Sequence, residues 1–370
     1  MIPASLYQTI YINLLFILTI LYVLSHQNLS FQALYRGRDN YKAALTLSIF
    51  LILFLGLRPV SYHFGDTVNY ARTYTNLQYG IVRIDSDASD WLFHWFMDNA
   101  SKIMSVNTFF LIIELGYIGC TLWACKRLMR NNVWVALLMN LAAFSYYSYG
   151  INGIRNGLAC SIMLVAFSYI LGPNREKIIA AILCFCAYNI HHSMALPILM
   201  MVISAFVLPK FKNSLKLTIA FWILSIFLSL TVGDWLETFF AGLGFDDRLN
   251  SYITSDEYDE QFSSTGFRWD FLLYSVMPIV LGWYVVIKKR VSNKTYLMLL
   301  NTYILCNAFW VMLIRSSFSN RFAYLSWFIY PILLAYPLLK LPIWRDQGNK
   351  LNWIMLANLG FTYFMWIIGK

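Results

Sequence analysis

The sequence predicts an all-α polytopic integral membrane protein, and three observations carry that prediction. Of 370 residues, 59% are hydrophobic and only 12% are charged, where soluble domains carry about 25%. Apolar stretches of roughly 17–25 residues, the length that crosses a bilayer as a helix, recur along the chain. The lysines and arginines collect in alternate connections between those stretches. A mean hydropathy of +0.57 agrees.

Taken in order, about twelve spans are expected, at residues 5–25, 41–57, 107–125, 133–149, 152–171, 176–190, 193–209, 215–233, 269–287, 296–314, 321–339 and 351–369. Only His191 and His192 separate the sixth from the seventh, so a re-entrant hairpin is the alternative there. The first apolar run lacks a basic n-region and a small-residue cleavage site, so no cleavable signal peptide is expected. Six cysteines, at 120, 125, 160, 184, 186 and 306, all fall inside apolar runs. That placement argues against disulfides and thiolate metal sites. We find no internal repeat and no soluble domain, so residues 1–370 read as one transmembrane domain.

Charge placement orients the spans. One set of connections holds Arg36, Arg38, Lys42, Lys126, Arg127, Arg130, Arg175, Lys177, Lys210, Lys212, Lys216, Lys288, Lys289, Arg290, Lys294, Lys340, Arg345 and Lys350, which is 18 of the 28 basic residues. By the positive-inside rule these connections are cytoplasmic and both termini lie outside. The net charge of +10 therefore reflects membrane orientation and gives no reason to expect nucleic acid.

Long loops fall on the outer side only, at 58–106 and 234–268, and they hold most of the acidic residues. A working site is expected on that face, because mere connectors are short. Within the first loop, residues 89–104 place Trp91, Leu92, Trp95, Phe96, Asn99 and Ile103 along one helical face. Such a helix is too polar to span and is expected to lie in the interface. Residues 254–262 read as a solvated acidic segment, or alternatively as a lid.

Polar residues then cluster at the outer ends of the spans. Arg58 closes the second span in Gly56-Leu57-Arg58-Pro59, where the proline stops the helix. Asp66, Asn69 and Tyr70 follow. Asn152 and Arg155 open the fifth span, His192 and Ser193 the seventh with Ser193 as its cap, and Arg268 with Asp270 the ninth. Arg315 closes the tenth, and Ser319, Asn320 and Arg321 open the eleventh. In this topology every odd-numbered span begins outside, so four of these groups, those that open spans, coincide with positive ends of helix dipoles. Arg155 has no acidic neighbour in sequence, and an unpaired arginine at the mouth of a membrane helix is by default functional. The competing reading is an arginine that snorkels to mark the surface. Together the group describes a site for a strongly anionic ligand such as a lipid pyrophosphate, since arginine forks match phosphate oxygens. No HExxH motif occurs, and neither metal nor cofactor is expected.

The ordered set Gly56-Leu-Arg58, Asp66-x-x-Asn69-Tyr70, the 91–104 helix, Asn152-Gly-Ile-Arg155-Asn156 and His191-His192-Ser193 resembles the EpsG-like branch of the Wzy-type polysaccharide polymerases. Arg268 and Asn320-Arg321-Phe-x-Tyr324 extend the likeness. Members usually read Gly-x-Arg-Gln where this chain has Gly153-Ile-Arg155-Asn156, and often have one histidine where this chain has two. The resemblance implies a GT-C-like fold in a bacterial inner membrane. It further implies metal-independent polymerisation of undecaprenyl-pyrophosphate-linked oligosaccharide repeat units into O-antigen or capsular polysaccharide at the periplasmic face. A lipid-linked donor and a lipid-linked acceptor are the expected substrates, with a chain-length regulator as a further partner. His192 is the first choice as general base and Asp66 the second. Arg58, Asn69, Tyr70, Asn152, Arg155, Arg268, Asn320 and Arg321 are expected to bind substrate. Tyr70, Tyr74, Trp91, Trp95, Tyr146, Tyr147 and Tyr149 offer an aromatic face for sugar rings. The alternatives are a ligase of the same fold, an O-acyltransferase acting on surface glycans, and a flippase or transporter. A transporter predicts polar residues through the midplane, whereas Glu114 is the acidic residue expected well inside a span.

Overall fold

A computed structural model describes residues 2–36, 40–84, 89–242, 266–316 and 319–369. Among these, 81% are helical and none lies in a strand. Eight helical stretches are long and apolar enough to cross a membrane, and Tyr41–Gly56 and Ile154–Tyr169 are shorter apolar helices. The all-α polytopic expectation holds. The 254–262 segment, with the acidic residues from Asp246 to Glu260, lies outside the described residues, as do Asp85 and Asp87.

The chain divides into two compact units, Met1–His191 with Leu334–Lys370, and His192–Leu333. The first holds α1 (Tyr7–Ser25), α2 (Phe31–Tyr35), α3 (Tyr41–Gly56), α4 (Thr67–Gln78), α5 (Trp91–Ile103), α6 (Val106–Met129), α7 (Val133–Leu141), α8 (Tyr146–Ile151), α9 (Ile154–Tyr169) and α10 (Asn174–Ile190). The second holds α11 (Ala195–Val202), α12 (Ser214–Gly242), α13 (Trp269–Trp283), α14 (Lys294–Met312) and α15 (Asn320–Trp327). Helix α16 (Tyr330–Lys340) runs across the division, and α17 (Gln347–Ile368) returns to the first unit.

In the first unit α9 packs between α6 and α10, α3 lies on α6, and α1 lies on α17. At the start of α9 the chain passes so close to α8 that a Cβ on Gly157 would collide with the Tyr149 carbonyl. The expected span at 133–149 is interrupted: α7 stops at Leu141 and α8 begins at Tyr146. A broken helix strands carbonyls, and an apolar setting tolerates that only where other groups meet them. Here Asn358 Nδ2 donates to Met139 O at 3.0 Å, Tyr11 Oη to Leu141 O at 2.8 Å and Thr362 Oγ1 to Ala142 O at 2.7 Å. Helices α1 and α17 thus complete the hydrogen bonding of the break.

Helix α5 forms where the amphipathic pattern placed it, and it presents two apolar faces. Phe93, Met97 and Ala100, at helical spacing, are buried, while Trp91, Trp95 and Ile103 are exposed. The exposed aromatic edge suits the headgroup region, where indoles concentrate.

The second unit is knitted by polar side chains on apolar helices. Trp222 Nε1 donates to Asn307 Oδ1 at 2.7 Å, and Asn307 Nδ2 donates to Ser326 Oγ at 3.0 Å. Trp327 Nε1 donates to Ser275 Oγ at 2.7 Å, and Tyr303 Oη to Ser275 O at 2.7 Å. Each pair satisfies groups that would otherwise sit unsatisfied among apolar neighbours.

Candidate functional site

The site in the first unit starts with a turn. Between α8 and α9, Asn152 Oδ1 accepts from the Asp66 N–H at 2.7 Å, and Asn69 Nδ2 donates to Asp66 Oδ1 at 3.1 Å. Gly65 sits at φ +58°, and a Cβ there would collide with Asn152 Oδ1, so only glycine lets the two loops close. Thr67 Oγ1 donates to Ile151 O at 2.7 Å from the other side.

Arg58 braces this joint from beneath. Its guanidinium donates to Glu114 Oε1 at 3.0 Å, to Leu55 O at 2.8 Å, to Thr67 Oγ1 at 3.3 Å and to Ile151 O at 3.2 Å. Both charged side chains are at 0% exposure. Arg58 therefore holds the turn that carries Asn152, and its charge is met by a carboxylate 56 positions away in sequence.

Arg155, second residue of α9, does not stand alone as the sequence suggested. Its Nη1 donates to Asp90 Oδ2 at 2.9 Å and its Nε to Tyr70 Oη at 3.1 Å. Asp90 Oδ2 also lies 3.3 Å from His191 Nδ1. One carboxylate oxygen therefore serves both an arginine and a histidine. Asp90 has φ +62° at the cap of α5, a left-handed conformation that aspartate tolerates better than most residues. It is 5% exposed, while the side chains of Arg155 and His191 stay open to 15% and 20%.

α10 ends at Ile190, and His191 follows in extended backbone at φ −153°, ψ 112°. That turn is what sends His191 to Asp90. Trp91 Nε1 donates to Asn189 Oδ1 and ties α5 to α10 beside it. His94, one turn further along α5, titrates below the ordinary histidine range, first because of burial and then because of the Arg155 charge, with Asp90 opposing. Asp90 and His94 were not singled out for chemistry in the sequence. The available signal was an aspartate at the cap position of an amphipathic helix with a histidine four residues on.

Other expected residues are placed as follows. Tyr74 and Tyr146 are core residues, donating to Met104 O at 2.8 Å and to Thr121 Oγ1 at 3.0 Å, so they cannot stack on sugars as expected. Trp91, Trp95 and the half-buried Tyr147 and Tyr149 remain on accessible ground. In the second unit, His192 opens a short 3-10 turn, and Ser193 lies inside that turn while Met194 caps α11. Arg268 precedes α13, grips Asp270 with two hydrogen bonds of 3.0 and 2.7 Å, and stacks 4.0 Å from the centre of the Phe271 ring. Ser319 is the N-cap of α15, and Asn320 and Arg321 form its first turn. Arg315 lies 3.9 Å from Asp234, both on exposed ground. Among the described residues, no group of three or more histidine, cysteine, aspartate or glutamate side chains is arranged to hold a metal.

These features define a helical membrane protein with a cationic, imidazole-bearing site at one end of a buried helix. Comparison by family places it further: residues 41–370 match the model of the EpsG family. The chain belongs to the EpsG family, which indicates a role of the polysaccharide-polymerase type. No curated protein and no solved structure matches it significantly.

Proposed function

We propose that this protein joins lipid-pyrophosphate-linked oligosaccharide repeat units into a polysaccharide at the periplasmic face of a bacterial inner membrane, by glycosyl transfer that needs no metal. Undecaprenyl-pyrophosphate-linked chains are the donor and the acceptor, and a chain-length regulator is a partner. The observation that carries this reading is the shared Asp90 oxygen, which sets Arg155 and His191 side by side at partly open positions.

With its Nδ1 proton on Asp90, the neutral His191 ring keeps Nε2 free to take the proton of an acceptor hydroxyl. The hydroxyl oxygen attacks the anomeric carbon of the donor while the bond from that carbon to the pyrophosphate oxygen breaks. Negative charge grows on the departing pyrophosphate. Arg155 and the uncapped N–H groups of the first turn of α9 offer that charge a fixed positive field. Asp90 orients both partners and touches neither substrate. His191 thus replaces His192 as the first base to test, and Asn152, Asp66 and Asn69 hold the loop above the site.

The test is elongation by the purified protein on lipid-pyrophosphate oligosaccharide, scored as a product ladder. Arg155→Lys is expected to lose nearly as much as Arg155→Ala, because a point charge replaces no fork. His191→Ala is expected to lose about 10²–10⁴ in rate with substrate still bound. A full ladder from well-folded His191→Ala beside an inactive His192→Ala returns the base to His192. A wild type that makes no ladder sinks the polymerase reading.

A further inference from the structure

The far end of α9 carries a second cationic site. Helix α9 has 16 residues, so its last turn lies roughly 20 Å from Arg155 at about 1.5 Å per residue. There, α6 ends beside the α9–α10 connection and a recess of about 580 Å³ opens, lined among others by Tyr41, Trp123, Lys126, Arg127, Arg130 and Glu176. All of these belong to the first unit.

Arg127 is engaged by the fold itself. Its Nη2 donates to Glu176 Oε2 at 2.9 Å, its Nε to Ser168 Oγ at 3.2 Å, and its guanidinium stacks 3.6 Å from the Tyr169 ring centre. Lys126 and Arg130 are different: among the described residues neither has a carboxylate partner, and both are exposed. Lys126 Nζ stands 3.8 Å over the Tyr41 ring, and Lys340 lies near enough to Arg130 for their charges to repel. Arg130 sits at φ +55°, ψ −92°, backbone that residues other than glycine rarely adopt. Cations at the C-terminus of α6 also suit its dipole, but the dipole asks for no cavity and accounts for no crowding of like charges. A phosphate in the recess would account for both.

The surroundings identify the carrier of that phosphate. Trp123 is 48% exposed at the rim, and Ile178, Ile179 and Ile182 of α10 are exposed apolar side chains on a neighbouring helix. Acyl chains lie against such a surface while a headgroup reaches basic residues above it, and basic pockets between helices take phosphate headgroups in this way. We propose that this recess binds the phosphate of an anionic glycerophospholipid, held chiefly by Lys126 and Arg130. It is separate from the Arg155 site and does not depend on the reaction assigned there.

The experiment is lipid titration of the full-length protein in detergent, read by native mass spectrometry with phosphatidylglycerol, phosphatidylethanolamine and inorganic pyrophosphate as separate probes. Phosphatidylglycerol is expected to bind well ahead of phosphatidylethanolamine. Lys126→Gln with Arg130→Gln is expected to weaken phosphatidylglycerol about 30-fold, at about fivefold per charge removed. Glu176→Gln removes the one carboxylate lining the recess and is expected to tighten it about fivefold, a gain that misfolding cannot produce. Equal binding of the two lipids overturns the proposal, as does unchanged affinity in a double variant that elutes and melts like the wild type. Pyrophosphate binding that the double variant loses, with phosphatidylglycerol binding unchanged, assigns the site to a soluble anion and overturns the lipid. A double variant that does not fold leaves the decision to Glu176→Gln, where no gain overturns it.

Discussion

The buried Arg58–Glu114 pair allows a prediction whose asymmetry can be worked out beforehand. Both side chains are fully enclosed and their closest approach is 3.0 Å. Removing one partner of such a pair costs about 3–5 kcal/mol, because the other is left charged away from water. The two single variants lose stability by different routes. A guanidinium cannot give up its proton, whereas a lone carboxyl can take one and become neutral. Glu114→Leu is therefore expected near the top of that range. Arg58→Met loses the pair through a milder route but also drops the hydrogen bonds to Leu55 O, Thr67 Oγ1 and Ile151 O, at about 1 kcal/mol each. The double variant carries only that second loss, roughly 2–3 kcal/mol, since no orphan charge remains. The expected order is double variant above both single variants, because the milder orphan left by Arg58→Met is offset by its lost hydrogen bonds, and the two single losses together exceed the loss of the double variant. Unfolding by SDS titration in mixed micelles, followed by helical circular dichroism, measures it. Strictly additive losses would refute the argument and show that the two charges are separately solvated.

Three further outcomes are expected. Gly65→Ala strains φ +58° and drives a Cβ into Asn152 Oδ1, so it is expected to cost about 1–3 kcal/mol and to cut elongation, whereas Gly80→Ala, which meets no neighbouring atom, is expected to leave elongation intact. Asp90→Asn keeps the left-handed backbone and the size of the side chain but removes the charge; elongation is expected to fall about 10²-fold or more, with the pH–rate profile displaced, while expression and melting stay near wild type. His94 titrates below its reference value of 6.5 in the fold, so the unfolded chain takes up its proton first. Its contribution to stability is complete above pH 6.5 and is lost as the pH falls through the folded value, and His94→Gln is expected to flatten a melting curve measured across that acid window.

What could be read in advance follows a physical division. Span positions, the interface helix at 91–103 and the helix start at Arg155 all depend on local composition, and local composition is what periodicity and hydropathy report. Pairings between distant residues escape such reading. Arg155 looked solitary because Asp90 lies 65 positions away, and Arg58 looked like a ligand because Glu114 lies 56 positions away. The interruption after Leu141 was hidden for the same reason, as the groups that satisfy it come from Tyr11, Asn358 and Thr362. The choice between His191 and His192 turned on one backbone conformation. The helix ends at Ile190, and the extended geometry of His191 brings its Nδ1 to Asp90.

Two arginines of the first unit, Arg58 and Arg155, show why sequence proximity to a membrane surface is a poor guide to role. Arg58 is 1% exposed and its guanidinium serves four protein acceptors, so a substrate phosphate would have to displace a carboxylate that no water can then solvate. That exchange is unfavourable, since Glu114 would be left buried without its ion-pair partner. Arg155 faces the opposite balance. Its partner Asp90 has His191 against the same oxygen, so a phosphate arriving at Arg155 leaves Asp90 with a hydrogen-bond donor still in place. The carboxylate keeps its contact with His191 when the arginine turns to the phosphate. In the reaction proposed above, the anion-binding Arg155 and the base His191 meet at the same Asp90 oxygen. Asp90 is the residue through which the two are linked, which is why its neutral isostere is expected to disable the site without unfolding it.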